Sequence, residues 1–181
     1  MNSLKKGSLK KGSLKSRMMA ALENKYVKLV LIAGVIIILD QITKAIILNT
    51  MPLHDSIPVI DGFFSITHIH NRGGAFGIFA GASSGVRTVL FLVISTFAAL
   101  FVLYFYSTLP KSHKFLAFGF ALIFGGAVGN LIDRIRLGEV VDFLDFYIGN
   151  SHYPAFNVAD SAITIGITIL FYHIVFNKLP E

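Results

Sequence analysis

The sequence predicts an α-helical membrane protein with four transmembrane helices and a small extracytoplasmic β-sheet cradle. Three observations indicate this fold class. The 181 residues are 54% hydrophobic and 14% charged, with a mean hydropathy of +0.70, a composition typical of membrane proteins. Four apolar stretches are each long enough to cross about 30 Å of hydrocarbon as a helix. Two segments between these stretches are rich in β-branched and aromatic residues, as strands are.

The four predicted spans are joined by connections of unequal length. They cover residues 26–48, 87–106, 114–132 and 158–176. The connection that contains 107–110 is short, which makes the second and third spans antiparallel neighbours. The connection 49–86 is long, so we expect it to be folded or functional. We interpret 26–178 as one four-span membrane domain, with 49–86 and 133–157 as its external loops.

The charge distribution predicts the orientation in the membrane. Eleven of the 16 Lys and Arg residues lie in the N-terminal segment, between the second and third spans, or in the C-terminal tail. The positive-inside rule therefore predicts that both termini are cytoplasmic. Seven of the ten acids fall on or near the opposite, external side. The net charge of +6 thus indicates topology, and we expect no nucleic-acid partner.

The N-terminal segment repeats a short lysine-rich unit. Residues 3–15 have a five-residue period with a glycine in each complete repeat, which argues against a stable helix. We expect 1–25 to form a disordered basic arm on the cytoplasmic side, lying against anionic lipid. The apolar stretch that follows is too long for the core of a signal peptide and contains Asp40 and Lys44. We interpret it as a retained first span.

Two of the spans contain residues with a predicted packing role. In the first span, Asp40 and Lys44 are four residues apart on one helix face, and we expect an intramembrane ion pair, with direct catalysis as the alternative. In the third span, Gly125 and Gly129 form a small-xxx-small pair that allows another helix to approach closely.

The external loops contain two candidate strands. They cover 63–70 and 140–147, and 71–74 has the composition of a turn. Both candidates lie on the same side of the membrane, so they can pair into a small sheet. An isolated hairpin is marginally stable, and we therefore expect this sheet to pack on the helices.

Two acids near the start of the fourth span are the main functional candidates. Asp160 lies in the first helical turn, where the macrodipole favours negative charge, and Asp142 lies on the preceding connection. If the two carboxyls are close, they cannot both ionise near neutral pH, so we expect one shared proton with the charge toward Asp160. The ionised acid can then deprotonate a water while the protonated acid polarises a peptide carbonyl. This chemistry needs no metal or other cofactor.

Simpler interpretations of these acids remain open. Asp160 can be a plain helix N-cap and Asp142 a loop acid. Asp145 competes with Asp142, although in a strand it would face the opposite side. Asp133 and Arg134 can form a local ion pair.

Other polar residues offer further roles. The chain has no cysteine, which excludes disulfides, thiolate nucleophiles and Cys-based metal sites. His68 and His70 can bind a metal, but no third ligand is evident, so we expect none. Asn71, Asn130 and Asn157 can cap turns and helices, or hold an extended substrate backbone.

Five short sequence blocks span nearly all of the chain after the N-terminal arm. The blocks are Asp40-Gln41-x-x-Lys44, Asn71-x-Gly73-x-Ala75-Phe76, Gly129-Asn130-x-x-Asp133-Arg134, Val140-Val141-Asp142-Phe143 and Phe156-Asn157-x-Ala159-Asp160. Together, and in this order, they resemble the lipoprotein signal peptidase (signal peptidase II) family of bacterial membrane aspartic proteases.

The resemblance implies roles for these residues. Asp142 and Asp160 would be the catalytic dyad. The substrate-binding or substrate-orienting residues would be Asn71, Gly73, Asn130, Arg134 and Asn157. The supporting residues would be Asp40, Lys44 and Asp133.

The resemblance also implies an activity and a substrate. The enzyme would remove signal peptides from prolipoproteins, cutting before a diacylglyceryl-modified cysteine on the outer side of the cytoplasmic membrane. We expect a monomer in contact with membrane lipids.

Two other functions are considered. In a small proton-coupled transporter or channel, Asp40, Lys44 and Asp160 would form a relay, but the absence of an internal repeat argues against a repeat-built transporter. In a non-catalytic assembly partner, the glycine-rich third span would be the interaction face, which leaves the acids unexplained.

Overall fold

The computed structural model describes residues 23–73 and 84–180. Within them, four helices are long and apolar enough to cross a membrane. These helices are α1 (Lys25–Thr50), α2 (Ser84–Thr108), α3 (Lys114–Leu137) and α4 (Val158–Val175). Each coincides with one predicted span to within a few residues at either end, so the four-helix prediction is confirmed. Most of the predicted basic arm, residues 1–22, lies outside the described residues.

Local sequence signals determine where the helices begin and end. The Asn24 side chain accepts a hydrogen bond from the Tyr26 N–H at 2.9 Å and caps α1. α3 continues past its predicted end to Gly138, whose φ of +77° is a left-handed conformation that favours glycine. Arg134 and Arg136 in its last turn complement the helix dipole. The arginines therefore belong to α3 and not to the external loop.

Glycines allow α3 to pack closely against the other helices. A Cβ at Gly125 would lie 2.9 Å from Ala33 Cα, and one at Gly129 would lie 2.8 Å from Asp40 Oδ2, both on α1. On another side of α3, Gly126 leaves no room for a side chain against Ala159 of α4. The predicted small-xxx-small contact is confirmed, and its partner is the first helix.

The connections between helices form a four-stranded antiparallel sheet with the order β1-β2-β3-β4. The strands are β1 (Ser56–Ile60), β2 (Phe64–Asn71), β3 (Val140–Ile148) and β4 (Ser151–His152). β2 and β3 are the two predicted strands. β1 is an exposed edge strand that contains Pro58, and β4 has two residues, so neither carries a clear alternating pattern.

The sheet packs on one end of the helix bundle, as expected. Val141 and Phe143 of β3 are buried against Ile47 and Met51 at the end of α1. β3 starts three residues after α3 ends, which fixes its position relative to that helix. β2 pairs with β3 so that its last residue, Asn71, lies opposite Val140. This register brings the end of β2 to the buried start of β3.

Candidate active site

The structure brings Asp142 and Asp160 into one hydrogen-bonded group. Asp142 is on β3, is 2% exposed, and accepts a hydrogen bond from Asn157 Nδ2 at 2.7 Å. Asp160 is in the first turn of α4 and accepts one from Asn130 Nδ2, also at 2.7 Å. The two asparagines are themselves joined, because Asn157 Nδ2 lies 3.2 Å from Asn130 Oδ1. Two amide side chains therefore connect two carboxyls that are 18 positions apart.

Asn157 is held by its position at the start of α4. Its Oδ1 accepts a hydrogen bond from the Asp160 N–H at 2.9 Å, and Asp160 Oδ2 accepts one from the Asn157 N–H at 3.3 Å. This is a capping box in which Asn157 is the N-cap and Asp160 is the third helical residue. Asp160 is therefore not the N-cap, and its Oδ1 is free to bind Asn130. Because the Asn157 oxygen faces a donor, its NH₂ group must point toward Asp142.

The second oxygen of Asp142 is held from β2. Asn71 Nδ2 donates to Asp142 Oδ2 at 2.9 Å, and Asn71 Oδ1 accepts from the Gly73 N–H at 2.9 Å. Gly73 has a φ of +76°, and a Cβ there would lie 2.6 Å from the Phe91 ring. A glycine is therefore required at this turn. The remaining residues of this block, Gly74, Ala75 and Phe76, lie outside the described residues.

The surroundings of Asp142 disfavour its charged form. Burial raises the pKa of Asp142 to about 7, and the nearby charge of Asp160 acts in the same direction. The hydrogen bonds from Asn71 and Asn157 and the charge of Lys44 oppose this effect. Near neutral pH, Asp142 is therefore divided between its protonated and ionised forms.

A buried cation lies behind the asparagines. Lys44 Nζ is 2.8 Å from Asp40 Oδ2, 2.8 Å from Asp133 Oδ2 and 2.9 Å from Asn130 Oδ1. The Lys44 side chain is only 2% exposed, and each of its three ammonium N–H donors has an acceptor within the protein. The predicted Asp40–Lys44 pair is confirmed. An ammonium group has no acceptor, so Asn130 must turn its oxygen toward Lys44 and its NH₂ group toward Asp160.

The two acids bound to Lys44 also hold backbone groups of the site. Asp40 Oδ1 accepts from the Ala159 N–H at 2.9 Å, in the first turn of α4. Asp133 Oδ2 accepts from the Val141 N–H at 3.2 Å, next to Asp142. The first helix and the end of the third are thus tied to both elements that carry the candidate acids.

The expected local pair between Asp133 and Arg134 does not form. Consecutive helical residues point in directions about 100° apart, so the two side chains diverge. Asp133 faces Lys44 of α1, whereas Arg134 Nη1 donates to Ser95 Oγ of α2 at 2.9 Å. The guanidinium also lies 5.9 Å from the centre of the Phe91 ring. Arg134 therefore connects α3 to α2 beside the acids.

Comparisons with known proteins identify the family. The sequence model of the family described as Signal peptidase (SPase) II matches residues 32–176. The chain belongs to the signal peptidase II family. It is therefore a membrane protease that removes signal peptides, and the comparisons give no support to a transporter.

Two relatives resemble this chain over most of their length. The lipoprotein signal peptidase of Desulforapulum autotrophicum is 59% identical over 155 residues, which cover 86% of this chain and 96% of the relative. That of Geobacter sulfurreducens is 51% identical over 134 residues, covering 74% and 82%.

Two solved structures, both described as bacterial membrane enzymes, have the same fold. One aligns with a TM-score of 0.73 and 38% identity over 83% of this chain and 89% of its own. The other aligns with a TM-score of 0.72 and 36% identity over 81% of this chain and 92% of its own. The chain is thus a multi-pass bacterial membrane protein.

Gln41 is a site residue to which sequence reasoning gave no role. Its Nε2 donates to Asp133 Oδ1 at 2.9 Å and lies 3.3 Å from the Gly129 carbonyl oxygen. Its Oε1 accepts from Arg136 Nη1 at 3.2 Å. In the sequence, only the position of Gln41 in the first block, directly after Asp40, indicated a role for it. Ser95 gave no signal, because its partner Arg134 is 39 residues away.

The competing candidates lie away from the acid pair. Asp145 binds His152 Nδ1 at 2.9 Å, on the opposite face of β3 from Asp142, as the strand geometry predicts. His68 and His70 contact each other through their Nε2 atoms at 3.1 Å. No group of three or more His, Cys, Asp or Glu side chains that could hold a metal is found in residues 23–73 and 84–180. Among these described residues, His68 and His70 therefore belong to no such group.

Proposed function

We propose that this protein is an aspartic endopeptidase in which Asp142 and Asp160 form the catalytic dyad. The observation that supports this most strongly is the pair of asparagines that links the buried carboxyl of Asp142 to the half-buried carboxyl of Asp160. The raised pKa of Asp142, about 7, fits a pair that retains one proton near neutral pH. The substrates would be diacylglyceryl-modified prolipoproteins, in keeping with the relatives named lipoprotein signal peptidases.

The two acids would have different roles in hydrolysis, one as general base and the other as general acid. Asp160, ionised at the start of α4, removes a proton from a water whose oxygen attacks the scissile carbonyl carbon. Protonated Asp142 donates its proton to the carbonyl oxygen, giving a tetrahedral gem-diol. On collapse, the C–N bond breaks, Asp142 recovers its proton, and Asp160 passes its proton to the leaving amine. The dyad is then restored without a covalent intermediate.

The neighbouring polar residues would bind substrate or position the acids. Asn130 and Asn157 use their NH₂ groups on Asp160 and Asp142, so we assign them to orienting the dyad. Arg134 interacts electrostatically with both acids and has N–H donors beyond the one that binds Ser95. It would hold a substrate carbonyl. Asn71 and Gly73 would line the substrate path beside Asp142.

A cleft next to Asp160 suits a partly apolar substrate. It has a volume of about 320 Å³ and is lined by Tyr153, Phe156, Ser161, Thr164 and Ile165 in addition to Asp160. Aromatic and aliphatic side chains at a membrane-facing helix end match an acyl group or the apolar residues before a cleavage site.

We assign the site to the outer side of the cytoplasmic membrane. Lys25, Lys28, Lys111 and Lys114 line one cleft at the opposite end of the bundle from the acids. The positive-inside rule assigns the lysine-rich end, and with it both termini, to the cytoplasm. Residues 26–178 would then form one catalytic membrane domain that acts as a monomer.

Substitution of either acid tests the catalytic proposal. In a purified assay with a diacylglyceryl-modified precursor, Asp142→Asn and Asp160→Asn should each lower kcat/KM by about 10³-fold or more. Asp145→Asn is the matched control on the same strand and should retain activity. A precursor without the lipid should be a poor substrate for the unchanged enzyme. Cleavage at the unchanged rate by Asp142→Asn would disprove the dyad.

A further inference from the structure

A second cleft lies at the end of the bundle opposite to Asp142 and Asp160. It has a volume of about 260 Å³ and separates the N-terminal parts of α1 and α3. These helices are in close contact at Gly125, and the cleft lies about two helical turns away, at Ala117 and Phe118. It shares no residue with the acid site.

The charged residues of this cleft are mostly unneutralised. Four lysines and one acid, Glu23, line it. Lys25 has a structural role, because its Nζ donates to the Ser107 and Leu109 carbonyls at 2.7 and 3.0 Å. These hydrogen bonds cap the C-terminal end of α2. The other three, Lys28, Lys111 and Lys114, are exposed. Among residues 23–73 and 84–180, no acid forms an ion pair with them.

The inner part of the same cleft is apolar. Ile32, Ala117 and Phe118 line it about one turn deeper than the lysines, and the Phe118 side chain is 40% exposed. α1 and α3 are membrane-spanning helices, and the lysines lie at the ends where these helices leave the hydrocarbon. Lysine side chains at such positions extend toward the head-group layer and keep their charge there. The cleft therefore presents positive charge at head-group depth and apolar surface beneath it.

We propose that this cleft binds the head group of an anionic phospholipid. The phosphodiester would lie between Lys28, Lys111 and Lys114, and the first part of one acyl chain would lie against Ile32 and Phe118. Basic pockets between transmembrane helices favour anionic head groups, with each lysine contributing through the attraction of opposite charges. A zwitterionic phospholipid has the same phosphodiester, but its head-group cation would lie close to the three ammonium groups and be repelled by them. A free phosphate would leave the apolar surface uncovered.

Lipid binding to the full-length chain tests this site. The purified protein in detergent is titrated with dioleoyl phosphatidylglycerol, and bound lipid is counted by native mass spectrometry. Dioleoyl phosphatidylcholine and inorganic phosphate are titrated in parallel. The cleft variant Lys28→Gln/Lys111→Gln/Lys114→Gln should bind phosphatidylglycerol at least about 10-fold more weakly than the unchanged protein. The charge-matched control Lys5→Gln/Lys10→Gln/Lys15→Gln removes the same charge from the N-terminal arm, whose expected attraction to anionic lipid is spread over many lysines and not directed at one bound molecule, so it should weaken binding by no more than about twofold.

A second variant separates the lipid from a free anion. Ala117→Trp fills the apolar part of the cleft while all lysines are kept, and it should weaken phosphatidylglycerol binding. Thermal unfolding checks that each variant is folded. The proposal is overturned if the cleft variant binds phosphatidylglycerol normally, if the arm control loses as much affinity, or if phosphatidylcholine binds equally well. It is also overturned if inorganic phosphate displaces the lipid at equal concentration.

Discussion

At the scale of single residues, Asn157 has the largest number of roles in the site. It caps α4 through its Oδ1, and its NH₂ group contacts Asp142, Asn130 and the Val141 carbonyl. The sequence indicated a polar residue at the start of a helix, and the cap was therefore predictable. The contact with Asp142 was not, because it depends on how the segment just before α4 pairs with β3 and not on any local pattern.

Two substitutions separate these roles of Asn157. Asn157→Ala should remove both the helix cap and the donor to Asp142, lowering stability by about 1 kcal/mol and reducing activity. Asn157→Ser should restore the cap but not the donor. Its unfolding temperature should therefore be close to that of the unchanged enzyme, while its kcat/KM stays at least about 10-fold lower. If Asn157→Ser is fully active, the contact with Asp142 has no catalytic role.

The raised pKa of Asp142 predicts a pH dependence of activity. The proposed mechanism needs this acid protonated, so kcat/KM should fall as the pH rises through about 7. The measurement is a pH profile of cleavage with saturating and limiting lipidated precursor. A profile that rises across this range would mean that Asp142 acts in its ionised form.

The same shift predicts a pH dependence of stability. The folded-state pKa of Asp142 is above its unfolded value, 3.8, so the folded state binds more protons between about pH 4 and 7. Asp142 therefore reduces stability progressively as the pH rises through this window. Asp142→Asn, which cannot ionise, should unfold at a higher temperature than the unchanged enzyme at pH 8 and at a similar temperature at pH 4. An equal difference at both pH values would contradict the assignment.

At the scale of elements, sequence reasoning predicted the helices and the two central strands. Long apolar stretches determine the spans, and the β-branched segments determine β2 and β3. The long-range contacts of Lys44 could not be read in the same way. Its pair with Asp40 follows from helical spacing, whereas Asp133 is 89 residues away and meets it only because Gly125 and Gly129 bring α1 and α3 together.

The buried ion pairs of Lys44, which join α1 to α3, should contribute to the free energy of unfolding. Lys44→Met should leave Asp40 and Asp133 as buried charges without a cation, costing about 3–5 kcal/mol and lowering the unfolding temperature. Adding Asp40→Asn and Asp133→Asn to that variant should recover much of the lost stability. Lys178→Met, at an exposed position after the end of α4, is the control. No loss in Lys44→Met would mean that the buried ions do not hold α1 to the site.

Two glycines give a matched test of helix packing. Gly125→Ala should destabilise the protein by about 1–3 kcal/mol, because a Cβ there would lie 2.9 Å from the backbone of Ala33. Gly34→Ala, on α1, has no atom within 4 Å of its Cβ and should be neutral or stabilising by up to about 1 kcal/mol. The comparison of thermal unfolding in detergent measures both. Equal effects would contradict close packing of α1 and α3 at this point.

At the scale of the whole molecule, the bundle has two chemically different ends. The acid pair and the sheet occupy one end, and the cleft lined by four lysines occupies the other. The charge pattern in the sequence predicted this division. It could not show that the basic residues enclose a cleft, because that depends on the separation of α1 and α3.

The natural absence of cysteine allows a direct test of orientation. Ser112→Cys places a single thiol between α2 and α3, and Asp61→Cys places one between β1 and β2. In intact spheroplasts, a membrane-impermeant maleimide should label Asp61→Cys and not Ser112→Cys. Permeabilised cells should label both. The reverse pattern in intact spheroplasts would place the site in the cytoplasm.

The central claim is that Asp142 and Asp160 act together on one peptide bond. The most direct measurement is a double-mutant cycle of kcat/KM with Asp142→Asn, Asp160→Asn and the combined variant on a lipidated precursor. Residues that act as a unit give single losses as large as the combined loss, so each single variant should lose about 10³-fold or more and the double variant little beyond that. Losses that multiply, or one single variant with unchanged activity, would contradict a shared catalytic role.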